Sequence, residues 1–129
     1  MESANCNGKL PTHAIEGLQL FNAGKYFEAH EALELAWRAE KESIRELYQG
    51  ILEAGVVYLH IQRDNYEGAL KVYGRSMIWL NRFPSVCCGV DVATLRRDLS
   101  AVIAEVERLG AGRIGEFDQS LFKPVIWEA

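Results

Sequence analysis

Hydrophobic residues recur every three or four positions along most of the chain, the spacing that keeps side chains on one face of an α-helix. The pattern predicts five helices, over residues 12–23, 26–40, 44–61, 65–83 and 91–109. The third carries apolar residues on nearly every side, which is typical of a helix surrounded by others. No stretch alternates with a period of two between turn residues, so we expect essentially no sheet. The chain is therefore predicted to be one all-α domain, a bundle of about five helices over residues 1–129.

Small polar residues mark where these helices should begin. Thr12 is the expected N-cap of the first helix. Ser43 and Glu46 form a capping-box pattern before the third helix, and Asp64 and Glu67 repeat it before the fourth. We therefore expect each of these hydroxyl or carboxylate groups to accept a hydrogen bond from the first turn of its helix.

Two segments lie outside the helical pattern. Residues 1–11 are polar and small, and we expect them to form a loose N-terminal arm. Residues 117–129 carry too much apolar area to hang free in water, so this tail should pack on the bundle or on a partner.

The second and fourth helices open on similar sequences. Lys25-Tyr26-Phe27-Glu28-Ala29 and Asn65-Tyr66-Glu67-Gly68-Ala69 are offset by 40 residues. The pattern is similar to the second helix of a tetratricopeptide hairpin, but two copies are too few, and the period too long, for a true array. We expect helix hairpins that are tetratricopeptide-like at most distantly.

Composition places the chain among globular proteins. Hydrophobic residues make up 49% and charged residues 25%, and apolar runs stop short of the roughly 20 residues that cross a bilayer. The first residues show no secretory signal, so we expect a cytoplasmic protein that does not enter a membrane. The formal net charge of −4 argues against nucleic acid as a partner.

Three cysteines are present: Cys6, Cys87 and Cys88. They form no CxxC pair, and neighbouring cysteines rarely bridge each other. We expect free thiols, with a redox or metal-binding role for Cys87 and Cys88 as the alternative.

Polar groups interrupt the apolar faces of the second and third helices. His30 lies in a stripe with Tyr26, Leu33 and Trp37, and Glu34 follows it by one turn. On the third helix Gln49, Glu53 and His60 share one face. We therefore predict an inter-helix pocket with five polar lining residues: His30, Glu34, Gln49, Glu53 and His60.

Three kinds of chemistry fit this cluster. It can be a structural hydrogen-bond network that specifies helix packing. A His30–Glu34 or His60–Glu53 pair can perform general acid–base catalysis. A divalent metal can bind His30, Glu34, Glu53 and His60, although the Glu-x-x-His pairs of di-iron bundles and the HExxH zinc motif are absent. No nucleophile or phosphate-binding loop is evident, no other cofactor is indicated, and catalytic residues stay unassigned. Trp37 and Trp79 are expected in the core or in subunit contacts rather than in a ligand cage.

The run from Phe21 to Trp37, with its EAHExLExxW motif, resembles the signature of the family catalogued as domain of unknown function 309. Leu47-Tyr48-Gln49-Gly50-Ile51-Leu52, His60, and Asn65 with Gly68-Ala69 extend the resemblance. The resemblance implies a small all-helical protein of prokaryotic or plastid type, in a family whose name records no activity. It also implies that His30, Glu31, Glu34, Trp37, Gln49 and His60 form one polar and aromatic motif. One departure is Asp64, where the family more usually has glycine before the asparagine.

The leading hypothesis is a helical protein whose polar inter-helix cluster is structural or binds a small ligand. One alternative is an interaction module that self-associates as a homo-oligomer or binds a protein partner, for instance a helix in a groove. The other is a metal-dependent or acid–base enzyme of unknown substrate.

Overall fold

The computed structural model describes residues 5–128, and in this part of the chain five α-helices follow one another. They are α1 (Thr12–Asn22), α2 (Tyr26–Ala39), α3 (Arg45–Gln62), α4 (Tyr66–Leu80) and α5 (Val92–Leu109). A small antiparallel pair, β1 (Val86–Cys87) and β2 (Val90–Asp91), precedes α5, and two short 3-10 helices, Ile114–Glu116 and Gln119–Leu121, follow it. The all-α prediction is confirmed, with this two-stranded pair as its one addition among the described residues.

The helix α3 lies at the centre, packed against α2 on one side and α4 on the other. Leu47, Ile51, Val57 and Tyr58 on α3 are fully buried, which accounts for its apolar residues on nearly every side. Gly50 allows α4 to approach closely, because a Cβ there would lie 2.7 Å from Leu80 Cδ2. The apolar face of α5 closes the bundle. Within residues 5–128, none of the helices has the length and apolar character to cross a membrane.

The loops α1–α2 and α3–α4 have the same hydrogen bonding, 40 residues apart. Lys25 N–H donates to the Leu20 carbonyl at 2.9 Å, and Asn65 N–H donates to the His60 carbonyl at 2.8 Å. In each loop the preceding residue donates a second bond three residues back, so both helices end in a Schellman motif. The repeat seen in the sequence is therefore a repeat of loop structure.

Both loops turn on one residue in the left-handed region, Gly24 at φ 78° and Asp64 at φ 57°. Glycine adopts this conformation at little cost, whereas a residue with a Cβ is strained. A glycine at the second position would therefore adopt this turn at lower cost. Asp64 keeps the same turn without it.

The predicted helix caps are wrong in detail. Thr12 is the first residue of α1, and the N-cap position is held by Pro11. No side chain caps this helix end by a hydrogen bond. The N-cap of α4 is Asn65, whose side chain accepts from Gly68 N–H at 3.0 Å, because Asp64 belongs to the turn that ends α3. The Asn65 side chain fits tightly here, since a Cβ on Gly68 would overlap its amide group.

The capping box predicted at Ser43 and Glu46 does not form either. The N-cap of α3 is Ile44, with helical backbone angles and no side-chain cap. Instead, Glu46 N–H donates to the Ser43 carbonyl at 3.0 Å, a bond over three residues. The chain enters α3 through a tight turn whose own carbonyls satisfy the first amides, so no hydroxyl cap is needed.

The expectation of free thiols is wrong for two of the three cysteines. Cys6 and Cys87 form a disulfide across 81 residues of sequence, and Cys88 is the buried free thiol. The N-terminal segment runs beside the β1–β2 turn, where Cys88 N–H donates to the Cys6 carbonyl at 2.8 Å, and this contact brings the two sulfurs together. The arm is thus fastened rather than loose where it is described; residues 1–4 lie outside the described part. The cytoplasmic location stays a prediction.

The tail packs on the bundle. The Phe122 ring stacks on Tyr58 with centroids 4.4 Å apart, and Val125 is buried. The Asn22 side chain both donates to and accepts from the Val125 backbone, at 2.9 and 2.7 Å. Trp127 adds a single bridge to Val90 of β2. Ala129 lies outside the described residues.

Candidate ligand-binding cleft

One face of α3 stays partly open between α2 and α4. The residues on this face lie three or four positions apart, so they form one row: Glu46, Gln49, Glu53, Val56 and His60. Glu53 is buried, and the other four are half-buried. Arg75 of α4 forms an ion pair with Glu53. Arg82, just past the end of α4, forms one with Glu46. On the side of the row that faces α2, the Arg45 guanidinium lies over the Trp37 ring. The row is the floor of a groove with α2 and α4 as its walls.

A cleft of about 370 Å³ opens at the end of this groove where α2 and α4 terminate and α3 begins. We name it the Trp cleft, and its lining residues are Trp37, Arg45, Glu46, Gln49 and Trp79. The two indoles come from different helices, on either side of α3. Small-molecule sites occupy roughly 300–1,000 Å³ and combine apolar walls with a few polar groups, so the Trp cleft has both the size and the composition of one.

Each indole of the Trp cleft carries a guanidinium on its face. Arg45 Cζ lies 4.1 Å from the Trp37 ring centroid, and Arg82 Cζ lies 4.7 Å from that of Trp79. Arg82 Nη1 also donates to Glu46 Oε1 at 2.9 Å. Arg45 forms an ion pair with no carboxylate among residues 5–128, and its buried Nε has no hydrogen-bond partner there. The two stacked cations therefore differ, since only one of them is neutralised.

Farther along the groove, Glu53 accepts from Arg75 Nε at 3.2 Å. Its other carboxylate oxygen is buried and has no partner within the described part of the chain. The predicted His60–Glu53 pair does not form. Instead, His60 Nδ1 lies 3.1 Å from Asn65 Nδ2. The Asn65 amide nitrogen can only donate, so His60 Nδ1 is the acceptor in this contact. Burial, with Arg63 and Arg75 nearby, lowers the pKa of His60.

The His30–Glu34 contact that the sequence predicts is present on α2, with Nε2 and Oε2 3.7 Å apart. Both side chains are about one third exposed, and Glu34 also pairs with Arg38. Glu34 therefore faces solvent and the Arg38 guanidinium as well as the imidazole ring.

The structure thus divides the predicted cluster rather than gathering it. Trp37 and Gln49 meet in the Trp cleft, His30 and Glu34 meet on α2, and Glu31 is exposed. Glu53 and His60 each take a different partner. Across residues 5–128 no three His, Cys, Asp or Glu side chains are grouped closely enough to hold a metal ion. The metal site suggested for His30, Glu34, Glu53 and His60 is not assembled.

Four residues of the site were not predicted from the sequence: Arg45, Glu46, Trp79 and Arg82. Trp79 was expected in the core or in a subunit contact; it is half-buried at the cleft wall and so lies outside the core, while the subunit contact stays a prediction. A local signal was available, because Trp79 and Arg82 are three positions apart, the spacing at which two side chains meet on one helical face. Arg45 and Trp37 carry no such signal, since the turn between α2 and α3 separates them.

The fold and the cleft together define an all-α protein in which two similar helix hairpins, closed by a fifth helix, carry a small tryptophan-lined cleft. Residues 14–72 match the family model described as a domain of unknown function (DUF309). The resemblance predicted from the sequence is thereby confirmed. The matched range contains Trp37, Arg45, Glu46 and Gln49 and ends before Trp79.

A relative described as an uncharacterized protein from Aquifex aeolicus (strain VF5) is 25% identical over 93 residues. The alignment covers 71% of this chain and 28% of the relative. The chain therefore corresponds to a minor part of that longer protein.

Proposed function

We propose that this protein binds a small molecule, and that the ligand occupies the Trp cleft. The observation that carries the proposal is the cleft itself, in which two indoles from α2 and α4 face a space of about 370 Å³ over the polar row of α3. The proposal keeps the small-ligand role of the leading hypothesis but moves the site, because Gln49 alone of the five predicted pocket residues lines the Trp cleft.

The walls favour a ligand with a flat apolar body. Trp37 and Trp79 are both half-buried, so each has ring surface that the protein does not cover. Stacking on an aromatic ring is worth about 0.5–1.5 kcal/mol beyond the area buried. A planar ring gains this stacking energy, whereas a flexible chain does not.

The floor favours a ligand with hydrogen-bonding groups. The Gln49 amide offers both a hydrogen-bond donor and an acceptor. Within residues 5–128 its side chain forms no hydrogen bond with another residue. Amides in this position orient ligands within apolar clefts. Gln49 is therefore the group we assign to orient the planar body.

Binding of the uncharged fluorescent probe N-phenyl-1-naphthylamine tests the proposal, because its emission rises when it leaves water. We expect Trp37→Ala and Trp79→Ala each to weaken binding about tenfold, the equivalent of roughly 1.4 kcal/mol. The matched control is Trp127→Phe, because Trp127 lies at β2, away from the cleft, and keeps its backbone bridge in this variant.

Circular dichroism and urea unfolding establish that each variant is folded before binding is measured. If Trp37→Ala and Trp79→Ala are folded and bind the probe as tightly as the parent does, the Trp cleft is not the binding site. A second variant, Gln49→Ala, weakens binding without removing a wall, so the test does not depend on the tryptophans alone.

A further inference from the structure

We infer that the ligand of the Trp cleft carries an anionic group beside its planar body, and that Arg45 binds that group. The inference rests on the proposed function and specifies the chemical class of the ligand.

The first step is the charge of the cleft. The charged residues that line it are Arg45 and Glu46, and Arg82 lies beside it on the Trp79 ring. Glu46 is paired with Arg82 at 2.9 Å. The neighbouring acids on the groove are also occupied, Glu53 by Arg75 and Glu34 by Arg38. Among the described residues one positive charge, that of Arg45, is left without a counter-charge in the cleft.

The second step is the position of that charge. Arg45 is the first residue of α3, and its guanidinium lies over the Trp37 ring. A stacked guanidinium is held in one orientation, so less side-chain freedom is lost when it binds a planar anion. Its buried Nε has no partner within residues 5–128, so at least one donor of the group is unsatisfied by the protein.

The third step is what a ligand would do to Arg45. A planar body that fills the cleft removes water from the guanidinium, and removing a charge from water is costly unless the charge is paired. A carboxylate, phosphate or sulfonate on the ligand supplies that pairing through charge-assisted hydrogen bonds, and the planar guanidinium fork suits it.

The same arrangement disfavours a cationic ligand. Two tryptophans facing one cleft invite comparison with the aromatic cages that bind quaternary ammonium groups. Here Arg45 and Arg82 already cover one face of each indole, so a ligand cation would meet two guanidinium groups. An anion has the opposite sign to both.

Two probes with the same aromatic body separate the inference from the proposed function. 8-Anilinonaphthalene-1-sulfonate is N-phenyl-1-naphthylamine with an added sulfonate. We expect the parent protein to bind the sulfonate probe about tenfold more tightly than the uncharged one. We expect Arg45→Gln to remove that preference, so that the variant binds the two probes with equal affinity. The matched control is Arg63→Gln, an exposed arginine just past the other end of α3.

The outcomes are distinct. Equal affinities for the two probes, or an unchanged preference in Arg45→Gln, would overturn the anion inference and leave the Trp cleft as a binding site. If Trp37→Ala and Trp79→Ala leave the affinities for both probes unchanged, the proposed function is overturned as well. Competition with 1-naphthoate and 1-naphthyl phosphate then distinguishes a carboxylate from a phosphate ligand. Equally strong competition by 1-naphthylmethylamine, a cation on the same ring, would contradict the inference.

Discussion

Removal of the Cys6–Cys87 disulfide should destabilise this protein more than any surface substitution. The bond joins residues 81 apart, and the chain-entropy relation for a loop of that length gives about 4.5 kcal/mol at about 25 °C. Measured effects of disulfides usually fall below this relation, so we expect Cys6→Ala to lower the free energy of unfolding by about 2–4.5 kcal/mol. Cys6 itself is half-buried, so the lost packing adds little.

Urea unfolding with and without a thiol reductant is the assay. The reductant should destabilise the parent protein and leave Cys6→Ala unchanged, because the variant has no Cys6–Cys87 bond to reduce. Cys88→Ala is the matched control: it removes the neighbouring free thiol and should keep the full response to the reductant. If oxidised parent and Cys6→Ala unfold at the same urea concentration, the bond does not constrain the chain as the loop length requires. Detection of a free Cys6 thiol in the folded, unreduced protein would refute the pairing itself.

Three further outcomes can be measured. Gly50→Ala should lower the free energy of unfolding, measured in urea, by about 1–3 kcal/mol, because the new Cβ would meet Leu80. Gly74→Ala, with open space at the Cβ, should raise it by about 0.5–1 kcal/mol. Equal effects of the two variants would contradict the close packing of α3 on α4. Asn65→Ala should cost about 1 kcal/mol through the lost cap of α4, and an unchanged unfolding midpoint would count against that cap. Burial, with Arg63 and Arg75 nearby, lowers the pKa of His60 in the folded protein, so the unfolded chain binds the proton more readily. The free energy of unfolding should therefore fall as the pH drops below 6.5. An NMR titration midpoint of His60 at or above 6.5 would contradict this.

The helices could be predicted because their evidence is local. The apolar residues on nearly every side of the third helix indicated a helix surrounded by others, and α3 is the central helix of the bundle. The repeat between residues 25–29 and 65–69 was also visible, but the shared turn before it, at Gly24 and Asp64, required backbone angles. Features that depend on residues a few positions apart can be predicted from the sequence.

The disulfide and the cleft could not be predicted because both depend on distant segments. Cys6 meets Cys87 only once the N-terminal segment runs beside the β1–β2 turn. Trp37 and Trp79 share a cleft only because α2 and α4 both end beside the start of α3. An aromatic residue on an amphipathic helix most often belongs to the core. The spacing of Trp79 and Arg82 indicated that the two side chains meet, but not that they lie beside a cleft.

The Cys6–Cys87 bond also sets the covalent topology of the chain. It closes residues 6–87 into a ring that contains α1 to α4, and with them both walls and the floor of the Trp cleft, while α5 and the tail form an open branch. A peptide bond cut in the loop between α2 and α3 would leave the two fragments joined until the disulfide is reduced. Local opening that begins at the C-terminus can release the branch while the ring stays closed, so the walls of the cleft stay linked when the rest of the bundle loosens.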